Sequence, residues 1–214
     1  MCGRPAAVIV AFMSSAAHRL RLGALRAATL SDDGEVVPLP WLVAGTLSWP
    51  AAHAHRVLHA WRAWLEDAEQ PVASTARLRR PPRAAATVAV EVALPGGPAG
   101  TAHRLAPLRA LAPEADTVAI AGPELLRAAL TAVPAGYAPF RAHLRLADLT
   151  PEGVDAFLAA AGPGARTELL SAELHHLDGT FALAAVAAAG DAEEAERVRI
   201  ALAQLERRLA PWAA

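Results

Sequence analysis

The strongest β-strand signal in the chain is the stretch Thr87-Val88-Ala89-Val90-Glu91-Val92-Ala93-Leu94. Valine alternates with alanine and one glutamate, which is typical of a strand packed in a sheet. The stretch Pro95-Gly96-Gly97-Pro98 ends it, because two prolines and two glycines do not continue a strand ladder. These residues predict a sheet, and the flanking segments are assigned relative to this strand.

The segment before this strand predicts a strand, a helix and a further strand. Residues 42–48 form the first strand, which ends at Trp49-Pro50, and proline suits the first turn of the helix that follows. The apolar residues of that helix recur on one face, namely Val57, Leu58, Trp61, Trp64 and Leu65. Residues 72–78 alternate weakly and predict the further strand, after which the consecutive prolines at 81 and 82 predict a loop.

The segment after it continues the mixture of helices and strands. A helix carrying Leu105, Leu108 and Leu111 precedes a strand at 116–121 and a short helix at 124–133. Residues 140–146 alternate and predict a strand. Thr150-Pro151-Glu152 opens a helix, with Thr150 as its N-cap. Strands at 167–176 and 181–189 follow, and Asp191 caps the final helix.

The first forty residues predict less structure. Residues 8–12 could form a short buried strand or the apolar part of a weak signal peptide. Asp32-Asp33-Gly34 is a turn that joins hairpin strands, with arms at 27–30 and 35–39. The whole pattern predicts an α+β fold, a largely antiparallel sheet with helices packed on one face, and shows no internal sequence repeat.

Composition excludes several classes of protein. The chain has 214 residues, of which 54% are hydrophobic and 19% charged, so it is not a disordered chain. The net charge of −1 gives no electrostatic reason to expect nucleic acid or an anionic membrane as a partner. Cys2 is the only cysteine, which excludes a disulfide framework and a cysteine-based zinc site. We expect a cytoplasmic protein, with secretion through the N-terminal stretch as the alternative.

Two strands carry polar stripes that are candidates for chemistry. Ser171, Glu173 and His175 share one face of their strand, and His143 and Arg145 share one face of another. His176 points to the opposite side from His175, so the two histidines cannot serve one site. A polar sheet face opposite helices is commonly solvent-exposed. The alternative is a substrate floor on which a histidine or glutamate acts as acid or base.

Other candidates have simpler interpretations. His55 and His59 are four residues apart on a helix, a spacing that can bind a metal ion, but no third ligand lies nearby in sequence, which favours a solvated surface. Arg79, Arg80 and Arg83 could hold an anion or lie in a solvated loop. The glycines at 96–97 and 162–164 lack the spacing of a phosphate-binding loop and predict turns.

From Trp41 onward the order of segments resembles the substrate-binding domain of bacterial FAD-linked oxidases of the berberine-bridge-enzyme type. The similarity is carried by the stretches at 43–50, 57–65, 105–111 and 172–177, and by the helix that ends Leu209-Ala210-Pro211-Trp212. Residues 23–37 resemble the hairpin that ends the flavin domain of that family. The resemblance implies a division into residues 1–40, a remnant of that hairpin with a non-matching N-terminus, and residues 41–214, a substrate-binding-like domain.

The resemblance also implies FAD, but the chain lacks the family's glycine-rich motif with the histidine that attaches the flavin. We therefore expect a truncated or degenerate homologue that binds no FAD and is inactive alone, with a flavin domain in trans as a possible partner. In the family the open sheet face covers the flavin ring and supplies the base. This implies that Glu173 takes that position, with His175, His143 and Arg145 as neighbours.

Two other functions fit the sequence. The first is a stand-alone module that binds a small organic ligand or dimerises, without redox activity. The second is an enzyme without a cofactor that uses Glu173 and a histidine as acid and base.

Overall fold

The computed structural model describes residues 8–9, 28–30, 36–38, 42–68, 72–81, 84–120, 138–165, 169–177 and 179–214. Three short strands, β1 (Val8–Ile9), β2 (Ala28–Leu30) and β3 (Val36–Pro38), form an antiparallel sheet of their own. The pairing of β2 with β3 confirms the predicted hairpin. The division of the chain at residue 40 stays a prediction.

The remaining strands form one eight-stranded antiparallel sheet. They are β4 (Leu42–Pro50), β5 (Ala73–Arg79), β6 (Thr87–Pro95), β7 (Ala115–Asp116), β8 (Ala119–Ile120), β9 (Ala138–Leu146), β10 (Leu169–Leu177) and β11 (Thr180–Ala189). Their order is β7-β4-β6-β5-β10-β11-β9, and β8 also pairs with β4. The predicted antiparallel sheet is confirmed.

Four helices are described, and they are α1 (Ala54–Glu66), α2 (Pro98–Arg109), α3 (Pro151–Ala161) and α4 (Ala192–Leu209). The helices lie on one side of the sheet, which confirms the predicted α+β arrangement. The side chains of Thr150 and Asp191 cap α3 and α4, as predicted. None of the helices that the structure describes is long and apolar enough to cross a membrane.

The core lies between this helix layer and the sheet. Alternate residues of each strand point into it, such as Leu47 of β4, Val90 of β6 and Leu174 of β10, each fully buried. Two tryptophans of α1 hydrogen-bond to neighbouring elements. Trp61 Nε1 donates to Ser74 Oγ of β5 at 2.9 Å, and Trp64 Nε1 donates to the Arg104 carbonyl of α2 at 2.7 Å. Most of the buried apolar residues that the structure describes form one cluster.

The predicted strand at 116–121 is wrong in its extent. Two strands of two residues replace it, because the Asp116 carboxylate accepts a hydrogen bond from the Val118 amide at 2.9 Å and interrupts the extended chain. Between them, the Thr117 amide bonds to the Thr46 carbonyl. The predicted helix at 124–133 lies outside the described residues.

The sheet contains two halves with the same order of elements. β4-α1-β5-β6-α2 and β9-α3-β10-β11-α4 both follow the order strand, helix, strand, strand, helix. The halves meet where β5 pairs antiparallel with β10. Arg77 and Glu173 are each the fifth residue of their strand and also face one another across this junction. An approximate two-fold axis therefore passes between these two side chains.

Candidate active site on the open face of the sheet

The face of the sheet away from the helices, called here the open face, carries a line of polar residues. Because successive residues alternate, the register places Glu91, Thr75 and His175 in one row across β6, β5 and β10. Arg77, Glu173 and His143 lie in the neighbouring row, with Ala184 between the last two. The polar residues named here share this face, whereas apolar residues that alternate with them, such as Val90 and Leu174, point to the helices.

Arg77 joins two carboxylates at the centre of this face. Its Nη1 lies 2.6 Å from Glu91 Oε1, and its Nε lies 2.9 Å from Glu173 Oε1, an ion-pair contact without hydrogen-bond geometry. The Ser171 hydroxyl donates to the same Glu173 oxygen at 3.0 Å. The side chain of Arg77 is only 6% exposed, and those of both glutamates are 12% exposed. These are buried charges held by pairing.

One guanidinium shared by two carboxylates leaves an excess of negative charge when both are ionised. Burial raises the pKa of Glu91 above its ordinary value of 4.5, the charge of Glu173 raises it further, and Arg77 opposes both. Glu91 therefore takes up a proton more readily than a glutamate in water does. The cluster therefore holds Glu91, a carboxyl group with a raised pKa, beside Glu173, a second carboxylate that pairs with the same guanidinium.

His175 completes what we call the Arg77 cluster, which consists of Arg77, Glu91, Glu173 and His175. Its Nδ1 lies 2.9 Å from Thr75 Oγ1, and its Nε2 lies 3.4 Å from Glu173 Oε2. Nε2 is buried and makes no hydrogen bond. Burial lowers the pKa of His175 below 6.5, Glu173 opposes this, and Arg77 and His143 lower it further. The ring is therefore neutral at pH 7 and has one nitrogen with unmet hydrogen-bonding capacity.

A pocket of about 390 Å³ opens on this face beside the cluster. Thr75, His175 and Ala182 contribute to its lining from the inner strands. His143 and Arg145 line it from the edge strand β9, and both residues are exposed. Such a volume accommodates a small organic molecule.

The structure brings the four site residues predicted from the sequence onto one face. His143, Arg145 and His175 line the pocket, whereas Glu173 lies behind them and contacts Arg77 and His175. Their catalytic roles stay a prediction.

Sequence reasoning missed Arg77, Glu91 and Thr75. The available signal was that Glu91 is the only charged residue within the strand at 87–94. A lone charge in a buried strand requires a partner, and the register supplies Arg77.

The arginines of the following loop divide into two roles. The Arg80 guanidinium donates to the carbonyls of Ala161, Gly162 and Ala165, so it caps the C-terminal end of α3. Arg79 is exposed on the open face, and Arg83 lies outside the described residues. The anion-binding alternative therefore does not hold for Arg80, whose donors are engaged.

The described residues do not contain a cradle for the phosphates of FAD. The glycines at 96–97 form the turn before α2, and the glycines at 162–164 form the turn after α3. Neither turn has the glycine spacing of a dinucleotide loop. The glycine turns of the described residues therefore do not fit the phosphates of a dinucleotide.

No protein-family model and no curated protein matches the sequence. Solved structures do match. 6-Hydroxy-D-nicotine oxidase from Arthrobacter nicotinovorans is 16% identical, with a TM-score of 0.64 over 85% of this chain and 46% of the oxidase. BBE-like 1 from Physcomitrella patens is 9% identical, with a TM-score of 0.60 over 84% and 46%. CrmK, a flavoenzyme of caerulomycin biosynthesis, is 16% identical, with a TM-score of 0.57 over 86% and 46%.

At these identities the likeness is one of fold, and the chain spans less than half of the length of the structures it matches. The order of segments in the sequence resembles the same group of proteins. The chain shares its fold with part of the FAD-linked oxidases of the berberine-bridge-enzyme type.

Proposed function

We propose that the open face is the substrate-binding surface of an FAD-dependent oxidoreductase, with the FAD held outside the described residues. The observation that carries this proposal is the Arg77 cluster, buried at the centre of the open face beside a pocket of about 390 Å³. The fold shared with flavin oxidases supports it. A flavin domain in trans or another part of the protein supplies the cofactor.

The cluster is more consistent with function than with stability. Burying charged groups is costly, and an ion pair of this kind contributes no more to folding than apolar side chains of the same size would. Groups with shifted pKa values concentrate at functional sites. Both Glu91 and His175 have such shifts, in the directions that favour their neutral forms.

His175 is the proton acceptor in this proposal. It lines the pocket as a neutral ring, and Glu173 lies 3.4 Å from its Nε2, where a carboxylate stabilises the imidazolium that forms. Arg77 acts as a positioning residue, because it fixes Glu173 from the opposite side. Thr75 is 2% exposed, so its hydroxyl orients the ring and is not placed to attack a substrate. The redox chemistry itself belongs to the cofactor.

The charges of the face favour a substrate with an acidic group. The register puts Arg77, Arg79, Arg141 and Arg145 on the open face, against Glu91 and Glu173. Arg145 and His143 stand exposed at the pocket, where a carboxylate can meet both. We therefore propose a small organic acid as the substrate class.

The first experiment records the visible absorption spectrum of the purified full chain before and after FAD is added, followed by gel filtration. A flavin band that elutes with the protein, and that bleaches without oxygen when a substrate acid is added, supports the proposal. A colourless chain is then tested with benzoate and its neutral analogue benzamide by calorimetry. Selective binding of benzoate by a flavin-free chain supports an acid-binding site on the open face, which either receives its flavin in trans or belongs to a stand-alone ligand-binding module.

Two variants test whether the acid binds at the pocket on the open face. Arg145→Gln is expected to weaken binding of the acid, whereas the control Arg208→Gln, on α4 away from the open face, is expected to leave it unchanged. A chain that neither carries flavin nor discriminates benzoate from benzamide contradicts the assignment of the open-face pocket as a site for small organic acids.

A further inference from the structure

A second cluster of chemically active side chains lies on the other side of the molecule, where α1 meets α3. His55 and His59 occupy successive turns of α1, and their rings lie 4.5 Å apart between centroids. The sequence places no third ligand near this pair, but the structure does. Asp155 of α3 lies with Oδ1 2.8 Å from His59 Nε2 and 3.5 Å from His55 Nε2.

The three side chains have the spacing of a metal site. Their donor atoms all lie within 4.8 Å of one another. Ligands of a tetrahedral zinc ion at about 2.05 Å are separated by about 3.3 Å from each other. The contact of 3.5 Å already fits this value, and the contact of 2.8 Å needs to open by about 0.5 Å. This contact joins His59 to Asp155, and the Asp155 side chain has the freedom for the adjustment because it is 57% exposed.

The donor set selects the class of cation. Two imidazole nitrogens and one carboxylate suit zinc and its neighbours in the first transition row, whereas magnesium and calcium prefer oxygen ligands only. Arg62, one turn along α1, is paired with Glu66, so its positive charge is offset near the site. Because the cluster is at the surface, water can fill the fourth position and ions can enter freely.

We propose that His55, His59 and Asp155 form a zinc-binding site that links α1 to α3. The two helices belong to different halves of the fold, so the ion joins them across the helix layer. The site is on the side of the sheet opposite to the pocket, and it acts on stability rather than on substrate. This inference does not depend on the proposed function.

The test uses the full, untagged, metal-free chain and Zn²⁺ as the probe, measured by calorimetry and by thermal unfolding. We expect saturable binding of one ion, and a rise in Tm of about 5 to 10 °C at a Zn²⁺ concentration 100 times the Kd. His55→Ala and Asp155→Asn are each expected to weaken binding at least tenfold. His55→Ala removes an exposed side chain, so it tests the site without threatening the fold.

The matched control is His103→Ala, which removes an exposed histidine from α2 and is expected to leave binding unchanged. Mg²⁺ is expected to give no rise in Tm. The proposal is overturned if no saturable binding occurs up to about 1 mM Zn²⁺, or if both site variants bind as the wild type does. Binding through other residues, such as Cys2 and His18, would give this second result.

Discussion

Arg77 is the residue on which the open face depends. It is the cation shared by Glu91 and Glu173, and its side chain is 6% exposed. Removing one partner of a buried pair leaves an uncompensated charge, which is much more costly than the pair itself is favourable. The effect of a substitution here therefore measures how strongly the two carboxylates rely on the guanidinium.

Substituting Arg77→Met keeps the length of the side chain and removes its charge. We expect the free energy of unfolding to fall by about 3 kcal/mol or more, since two carboxylates are left buried without a cation. Urea denaturation measures this. The control is Arg79→Met on the same strand and face, where the side chain is exposed and a change within about 0.5 kcal/mol is expected. Equal effects of the two substitutions would show that the buried pairing is not important.

His175 gives the open face a pH dependence. Burial lowers its pKa in the folded protein below the ordinary value of 6.5, so the folded state binds this proton less readily than the unfolded state does. Its contribution is fully present above pH 6.5 and is lost as the pH falls through the folded-state pKa. The charged or titratable groups that face the ring are Glu173, Arg77 and His143.

We expect the wild type to lose stability between pH 7.5 and 5.5 relative to His175→Gln, which cannot titrate. The slope that separates them is at most about 1.4 kcal/mol per pH unit. The raised pKa of Glu91 acts in the opposite direction, but it is present in both proteins and cancels in the difference. Urea midpoints at several pH values measure the effect, and parallel curves would contradict it.

At the scale of single residues, the sequence predicts which residues share a face of one strand. It does not predict which residues of other strands lie beside them. Alternation alone puts Glu173 and His175 on one face, because it needs only the period of a strand. Arg77 and Glu91 become their partners only through the pairing of β5 with β6 and β10. Arg77 and Glu173 are 96 residues apart in the chain, and no local pattern reports that contact.

At the scale of elements, Gly45 decides how β4 meets the two short strands at the edge of the sheet. A Cβ atom at this position would lie 2.6 Å from the Thr117 carbonyl oxygen and 2.6 Å from the Val118 Cα. Both are backbone atoms, so they cannot move aside as a flexible side chain would. The φ of +155° also disfavours any residue with a side chain.

Gly45→Ala is therefore expected to destabilise the protein by about 2 kcal/mol or more. Gly100→Ala is the matched control with the opposite sign. Gly100 lies in α2 with open space around it, and alanine in a helix is expected to stabilise by about 0.5 to 1 kcal/mol. Thermal unfolding of both variants measures the contrast, and a neutral Gly45→Ala would contradict the close approach.

The start of α3 depends on Thr150. Its hydroxyl oxygen accepts from the Gly153 amide at 3.3 Å and from Trp212 Nε1 at 2.9 Å. Thr150→Ala loses both and is expected to cost about 1 to 2 kcal/mol in urea denaturation. Thr150→Ser retains the oxygen and is expected to stay close to the wild type. If serine is as damaging as alanine, the methyl group and not the cap is responsible.

The elements themselves could largely be predicted from the sequence. Helix α1 has a clear apolar stripe, and capping residues mark the starts of α3 and α4. The strand at 116–121 could not be predicted correctly, because its interruption depends on the Asp116 side chain and on hydrogen bonds to Thr46 of β4. The proposed ligand Asp155 could not be predicted from the sequence either, because it lies on a different helix from His55 and His59.

At the scale of the whole molecule, the fold consists of two halves with the same element order and no visible sequence repeat. The two halves build the same order of strands and helices from different side chains, so they repeat in topology and not in sequence. The apolar residues of both halves nevertheless belong to one cluster, and β5 pairs with β10 over six registered residue pairs. The helix layer and the sheet therefore have no internal boundary at which one half could separate.

This continuity predicts one cooperative unfolding transition. Gly45→Ala acts on β4 in the first half, and Thr150→Ala acts on α3 in the second, without a shared contact. In one cooperative unit, each substitution lowers the same urea midpoint without changing the m-value, and the double variant shows the sum of the two losses within about 0.5 kcal/mol. Independent halves would instead give two transitions by circular dichroism, with each substitution shifting only its own. A single additive transition means that changes on the helix side, such as a zinc ion bound by α1 and α3, stabilise the open face as well.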